Sequence, residues 1–423
     1  MTSTSGLGHT DRLLTDEEIS TICQAALDPQ DFAKQRILLI VPDHTRTCPL
    51  DRLFRQIHTI LSEHVAALDV LIALGTHPPL TQAQINERVG ITEEERQTTY
   101  KRVRFYNHEW ATPEHLVEAG QITEDEISDL TEGRFAMTVS VTCNKLALDY
   151  DRLLIVGPVF PHEVAGFSGG NKYICPGIAG KEIIDFFHWL GAIITNPSII
   201  GHKWTPVRQV IDRAAALLPT RRQAFCMVVK DGGLAGLFFG NPEDSWSAAA
   251  DLSAQLHIHH EDRAYSTVLS CAPTMYDELW VAGKCMYKLE PIVADGGQLI
   301  IYGPHITQIS ETHGRVIEEI GYHTRDYFLD DWDRFQNYPW GVVAHSTHVK
   351  GIGSFKDGIE KPRIEVILAT GIPEDVCHRI NLGYMDPGKI DPADYQGREA
   401  EGILCVPHAG ERLYRLKDGQ TTV

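Results

Sequence analysis

The stretch HEVAGFSGGNKYICPGIAGKEIIDFFHW, His162 to Trp189, carries the densest chemistry in this 423-residue sequence. His162 precedes a Ser168-Gly169-Gly170 turn, Lys172 follows the turn, and His188 lies beyond it beside Phe187 and Trp189. Adjacent glycines let backbone N–H groups approach and cradle an anion. Lys172 suits either a phosphate contact or a covalent attachment. The turn is neither GxxxxGK[ST] nor GxGxxG. Two histidines this far apart without a nearby third ligand make a weak zinc site, whereas imidazole also suits nickel, copper and iron. Three further loops carry reactive types. PDHTRTCP offers Asp43, Thr45 and Arg46, suited to a phosphate or carboxylate, although Asp and Thr in such a loop equally serve their own turn. ALGTHPPLT offers Gly75, Thr76 and His77, and YNHEW places His108 beside Glu109, which would raise its pKa, and Trp110. A single loop histidine is more often structural than catalytic; the accumulation is what points to a multi-loop site for an anionic ligand.

These loops need strands to hold them. RILLIVPD, LDVLIALGTHPPLT and DRLLIVGPVFPHEVAGFSGG each read as a buried strand running into a loop, and LDRLFRQIHTILSEHV from Leu50 has helical periodicity. Ligands collect at the carboxyl ends of strands in open α/β sheets. After LSAQLHIHHEDRAYS a second series begins: YSTVLSCAP as a strand, YDELWVAGKCMYKLEPIVA as a helix, then GGQLIIYGPH, RIEVILATGI and GILCVPHAG as strands. The expected fold is α/β, two α/β domains with mainly parallel sheets and the active site in the cleft between them. The boundaries expected are 1–255, 262–410, and a tail 411–423 packing back on the N-terminal domain.

The net charge of −19 disfavours nucleic acid and anionic membranes as partners, because the long-range field repels phosphate. Nine scattered cysteines, an odd number without CxxC, suit free thiols in a reducing compartment. No apolar signal core or run of about 20 apolar residues stands out, so a cytoplasmic location is expected.

The set resembles the nickel-pincer nucleotide-dependent lactate racemase family, through H-x(9)-K-x(15)-H filled by His162, Lys172 and His188 around AGFSGG, with His108 in NHEW. The resemblance implies a cofactor, pyridinium-3-thioamide-5-thiocarboxylic acid mononucleotide with nickel, attached covalently to Lys172, with His188 as metal ligand. It implies His108 and His162 as an acid–base pair, each titrating near neutrality. Asp43, Thr45, Arg46, Ser168, Gly169 and Gly170 become candidate cofactor contacts, and His77 and Lys284 candidate substrate contacts. The implied reaction inverts C2 of a 2-hydroxy acid by reversible hydride transfer. Cofactor-biosynthesis and nickel-insertion proteins are the implied partners.

Three positions depart from the family pattern: Pro78 where an arginine would follow the histidine, Val281 where a glutamine is expected, and Asn171 where arginine is common. These departures point to a substrate larger than lactate, such as a sugar acid or hydroxy diacid. Lactate racemisation proper, and a non-catalytic cofactor-binding or carrier role, are the alternatives.

Overall fold

The structure, a computed structural model, describes residues 4–417. The chain divides into two compact units whose segments interleave: 1–160, 167–184 and 203–256 form the first, and 161–166, 185–202 and 257–423 the second. The continuous 1–255 stretch expected from sequence is therefore interrupted twice.

The first unit is built on seven strands: β1 (Ser5–Gly8), β2 (Arg36–Pro42), β3 (Ala67–Ala73), β4 (Phe105–Asn107), β5 (Arg152–Pro158), β6 (Arg221–Lys230) and β7 (Gly233–Gly240). Their order is β1-β7-β6-β5-β2-β3-β4. Strands β4, β3, β2, β5 and β6 run parallel, while β7 and β1 are antiparallel additions at one edge. Every residue of β2 after Arg36 is buried, as a strand covered on both faces requires. Helix α1 (Leu50–Leu61) buries Leu50, Leu53, Phe54, Ile57 and Leu61, a 3.6-residue stripe, in the core shared with Leu39, Val41, Val70 and Val156. From β2 the chain passes to β3 on one side, and β5 later joins the other side of β2. The loops after β2 and β5 thus leave in opposite directions and open a crevice, the ligand position of an open parallel sheet.

The second unit contains β8 (Ile258–Glu261), β9 (Tyr265–Cys271), β10 (Val293–Gly303), β11 (Glu365–Thr370), β12 (Gly383–Tyr384), β13 (Ile403–Val406) and β14 (Leu413–Leu416). Its main sheet, ordered β12-β11-β10-β9-β13, is parallel throughout. The sequence reading of a mainly parallel α/β protein therefore holds.

Three details differ from the sequence reading. The helix expected over YDELWVAGKCMYKLEPIVA is broken into single turns at Leu279–Ala282, Lys284–Tyr287 and Glu290–Ile292. Pro291 has no N–H to continue a helix, whereas Gly283, between the first two turns, keeps helical angles and donates to the Leu279 carbonyl at 2.8 Å. The described part of the tail pairs as β14 with β8 in the second unit, and 418–423 lie outside the described residues. Segment 185–202 groups with the second unit because its contacts are there. Trp189 stacks on Trp332 at 4.6 Å, and Gly201 abuts Ile258 and Leu413 so closely that a Cβ would come within 2.5–3.0 Å of them.

Candidate active site

The glycine turn is held from behind by side chains of the first unit's helices. Arg208, on α3 (Pro206–Ala216), donates to the carbonyls of Phe167 at 2.5 Å and Gly169 at 3.4 Å. Its guanidinium lies 4.0 Å over the Trp246 ring, and the Trp246 indole N–H donates to the Ser168 carbonyl at 2.9 Å. Three consecutive carbonyls are thereby tied down on one side. The Ser168 hydroxyl accepts from the Phe160 N–H at 2.9 Å and donates to the Pro158 carbonyl at 3.2 Å. Ser168 is thus spent on fastening the turn to the end of β5. Gly169 and Gly170 have φ of 87° and 59°, and a Cβ on Gly170 would fall 2.8 Å from Trp246 Cβ. Both positions therefore need glycine. Lys172 follows in a short 3-10 turn. Asn171 faces inward and donates to Asp212 at 3.0 Å and Glu243 at 2.7 Å, so the residue at this departure from the family pattern serves the interior.

At the end of β2, the Asp43 carboxylate accepts from the Thr45 N–H (3.1 Å) and hydroxyl (2.7 Å), and lies 2.5 Å from His77 Nδ1. Burial opposes its ionisation, but His77, Arg46 and Thr45 together overcome this and hold Asp43 well below the ordinary carboxylate range. The turn reading and the site reading of this loop are both realised: Thr45 serves Asp43, and Asp43 orients His77 from the loop after β3. Gly75, at φ 58°, opens that loop with nothing within 4 Å of an added Cβ.

His108, directly after β4, is fully buried. Its Nε2 is 2.9 Å from the Ala179 carbonyl, which only an N–H can approach, so Nε2 carries the proton and Nδ1 the lone pair. The Asn144 amide contacts Nδ1 at a long 3.4 Å. Burial lowers the His108 pKa to about 4, against a smaller opposing effect of the Ala179 carbonyl. This corrects the expectation of near-neutral titration. It also corrects the role given to Glu109, which turns instead to His115 at 3.3 Å.

His162 and His188 belong to the second unit. His162 is buried, and its Nδ1 accepts from the Val164 N–H at 3.1 Å, which places the proton of the neutral ring on Nε2. Glu163 lies 3.3 Å from the same nitrogen. The two partners are alternatives: Val164 holds the neutral ring, and Glu163 suits the imidazolium. His188 sits on α2 (Lys181–Ile194), its ring 4.2 Å from that of Phe187, and its Nδ1 would be 3.9 Å from a Cβ on Gly341. Asp185, one turn earlier, accepts from the Gly341 N–H at 2.9 Å and fixes that approach. Lys284 extends over the Tyr276 ring at 4.8 Å. Val281 is buried, while its neighbour Trp280 stacks on His345 at 3.8 Å and lies 4.3 Å from His313.

Among the described residues, no group of three or more His, Cys, Asp or Glu side chains converges to hold a metal ion. A metal bound through His188 would need its other ligands from a cofactor. Taken by themselves, the first unit's loops suit a phosphate-bearing group, since a lysine follows a close-approach glycine turn and Arg46 stands in the loop after β2. Sequence reasoning missed Arg208, Trp246, Asn144 and Glu163. None belongs to a reactive motif, and only the acid next to His162 could have been noticed in advance.

Residues 18–200 match the lactate racemase N-terminal domain, a span containing His108, His162, Lys172 and His188. The lactate racemase of Thermoanaerobacterium thermosaccharolyticum is 32% identical over 174 residues, 40% of this chain and 36% of that protein. The lactate racemase of Lactiplantibacillus plantarum is 28% identical over 168 residues, 39% and 34% respectively. These alignments thus span about a third of each relative's length. A crystal structure of a Thermotoga maritima protein from a structural genomics programme superposes with a TM-score of 0.88 at 33% identity, covering 97% of this chain and 100% of that one. The T. thermosaccharolyticum lactate racemase apoprotein superposes with a TM-score of 0.68 at 19% identity, covering 98% and 100%, which shows a shared fold. Through residues 18–200 the chain is therefore similar to the lactate racemase family, and its overall fold is that of the lactate racemase apoprotein.

Proposed function

We propose that this chain inverts C2 of a 2-hydroxy acid larger than lactate, such as a sugar acid or hydroxy diacid, with a nickel-pincer nucleotide carried on Lys172 and His188. The observation that supports the reading is that both candidate acid–base histidines are buried with one tautomer fixed by the backbone. His108 keeps its proton on Nε2, toward the Ala179 carbonyl, with the Asn144 amide near its Nδ1. His162 likewise carries its proton on Nε2 while the Val164 N–H occupies its Nδ1, and Glu163 beside that nitrogen suits the imidazolium. Inverting a hydroxylated carbon needs both, because the two enantiomers exchange the hydroxyl proton from opposite sides. When bound, the nucleotide supplies a two-electron acceptor for the hydrogen on C2.

The chain's residues do the rest. Asp43, kept anionic with Thr45 donating to it, holds His77 in one orientation; Arg46 in the same loop suits the cofactor phosphate. Lys284 suits the substrate carboxylate. As a proton reaches His162, Glu163 stabilises the cation.

The larger substrate rests on Pro78, an exposed residue immediately after His77. Proline cannot make the charge-assisted pair that an arginine offers, which is worth about 1.5–3 kcal/mol, or one to two decades in affinity. Lactate has few other handles, whereas a longer acid has more hydroxyls or a second carboxylate. The test is protein made with the pincer-synthesis and nickel-insertion machinery, checked by intact mass for an adduct on Lys172 and by metal analysis for nickel. Its kcat/KM is then measured for lactate, malate, 2-hydroxyglutarate, phenyllactate and gluconate, following deuterium retention at C2. Lactate best by about tenfold would overturn the substrate assignment, and a loaded protein that turns over none of them would favour a carrier. Pro78→Arg is expected to raise kcat/KM for lactate by about ten- to a hundredfold.

A further inference from the structure

His188 stands on α2, and the start of another helix of the second unit, α4 (Trp340–Lys350), lies against its ring. The first backbone N–H groups of a helix have no partner inside it. At α4 the N-cap residue is Pro339, which makes no side-chain cap bond. Asp185 supplies what that cap lacks: it accepts the Gly341 N–H at 2.9 Å from the neighbouring helix. A carboxylate there also suits the positive end of the helix dipole. Asp185 and His188 are three residues apart on α2, so they share one face of it. One glycine adjoins both. A Cβ at Gly341 would lie 3.2 Å from Asp185 Oδ1 and 3.9 Å from His188 Nδ1.

Other contacts of the same unit hold the two helices together. Trp189, next to His188, stacks on Trp332 at 4.6 Å with planes 2° apart, and Trp332 lies 5.5 Å from Trp340. Arg325 donates to the Ile193 carbonyl, near the end of α2, at 2.9 Å. The tryptophans set the spacing of the helices, and Asp185 sets where the first turn of α4 meets the imidazole. His188 itself stays partly exposed. With Nδ1 turned to Gly341, Nε2 is the nitrogen left for a metal.

We infer that Asp185 is a positioning residue for His188. By capping α4 at Gly341 it fixes the surface on which the Nδ1 side of the imidazole rests, and so presents Nε2 to the metal. The inference rests on the reading of His188 as the nickel ligand. Residues that orient a ligating histidine are worth about 10–100-fold in metal affinity.

The experiment takes the cofactor-loaded full-length protein and measures the chelator concentration that strips half of its nickel. Intact mass follows the Lys172 adduct, and urea unfolding follows the fold. Asp185→Ala should weaken nickel retention by about 10–100-fold. Asp185→Asn, whose amide oxygen can still accept the Gly341 N–H, should stay within about threefold of the unsubstituted protein. Gly341→Ala crowds Asp185 Oδ1 and should weaken retention by about tenfold. Both positions are only partly buried, so these variants are expected to fold. A lower urea midpoint with unchanged nickel retention in Asp185→Ala would make Asp185 a helix cap only and overturn the inference. Equal loss of nickel from Asp185→Asn and Asp185→Ala would overturn the capping route. His188→Ala checks the ligand separately: unchanged retention in that variant overturns the assignment of His188, and with it the role of Asp185.

Discussion

The glycine turn of the first unit and the buried polar wall around Asn196 and Glu290 in the second differ in what their side chains hold. At the turn, Arg208, Trp246 and the Ser168 hydroxyl pair three successive carbonyls and the flanking backbone, while Arg208 Nε and Asn171 Oδ1 keep no partner among the described residues. At the wall, both amide atoms of Asn196 lack a partner among the described residues, as does Glu290 Oε2. A side chain that pairs buried backbone expresses its worth as stability, because removing it strands desolvated groups. One whose polar atoms are all unpaired carries a standing penalty that its removal lifts.

The largest expected effect tests the first unit's chemistry. His108→Ala in the loaded protein should lower turnover by about 10²–10⁴-fold in both directions while the adduct on Lys172 and the nickel persist, as intact mass and metal analysis would show. Turnover close to the unsubstituted level in either direction would remove His108 from the acid–base role.

The next prediction sets the two regions against each other. Arg208→Met strands the Phe167 and Gly169 carbonyls and should cost about 3 kcal/mol in urea unfolding. Asn196→Leu removes two unpaired atoms and should be neutral or stabilising by up to about 1 kcal/mol. If Asn196→Leu costs as much as Arg208→Met, the distinction between the two regions fails.

A third prediction concerns acid. Burial lowers the pKa of His108 to about 4, of His345 to about 3 and of His348 to about 4. The unfolded chain takes up these protons near the ordinary histidine pKa of about 6.5 and the folded chain does not, so stability is full above that pH. It falls as pH drops from about 6.5 toward 4, where these folded-state values lie. His348→Phe should flatten that fall by about 2 kcal/mol between the two ends of the window. An unchanged pH profile of unfolding in this variant would show that His348 is not held neutral.

The smallest effect is at the serine that fastens the turn. Ser168→Ala should cost about 1 kcal/mol in stability and leave nickel and the Lys172 adduct in place. Loss of the cofactor in this variant would instead make Ser168 a direct contact.

The sequence made the strands and the reactive residues legible for physical reasons. Strands β2, β3 and β5 are continuous apolar runs because both their faces are covered, and each ends where polar loop residues begin. His162, Lys172 and His188 stand in one local stretch, so their spacing could be read directly. The helix expected across residues 276–294 is shorter at both ends than its apolar spacing suggests: it begins only at Leu279, and Pro291, which has no N–H to give, falls in a separate 3-10 turn. The interleaving of units was equally hidden, since Trp189 meets Trp332 across more than a hundred residues of chain.

Residue identity and local spacing by themselves determined which groups could do chemistry, that parallel α/β sheets would carry them, and which positions had to be glycine at the turn. Tertiary structure alone decided what those groups are chemically. The proton of His108 sits on Nε2 because a carbonyl 71 residues away faces it, and its pKa is low because the surrounding fold excludes water. Asp43 stays ionised because His77, from the neighbouring strand's loop, reaches it. Tautomer, charge and unmet hydrogen bonds are properties of surroundings assembled from distant parts of the chain, and long-range packing is what sets them.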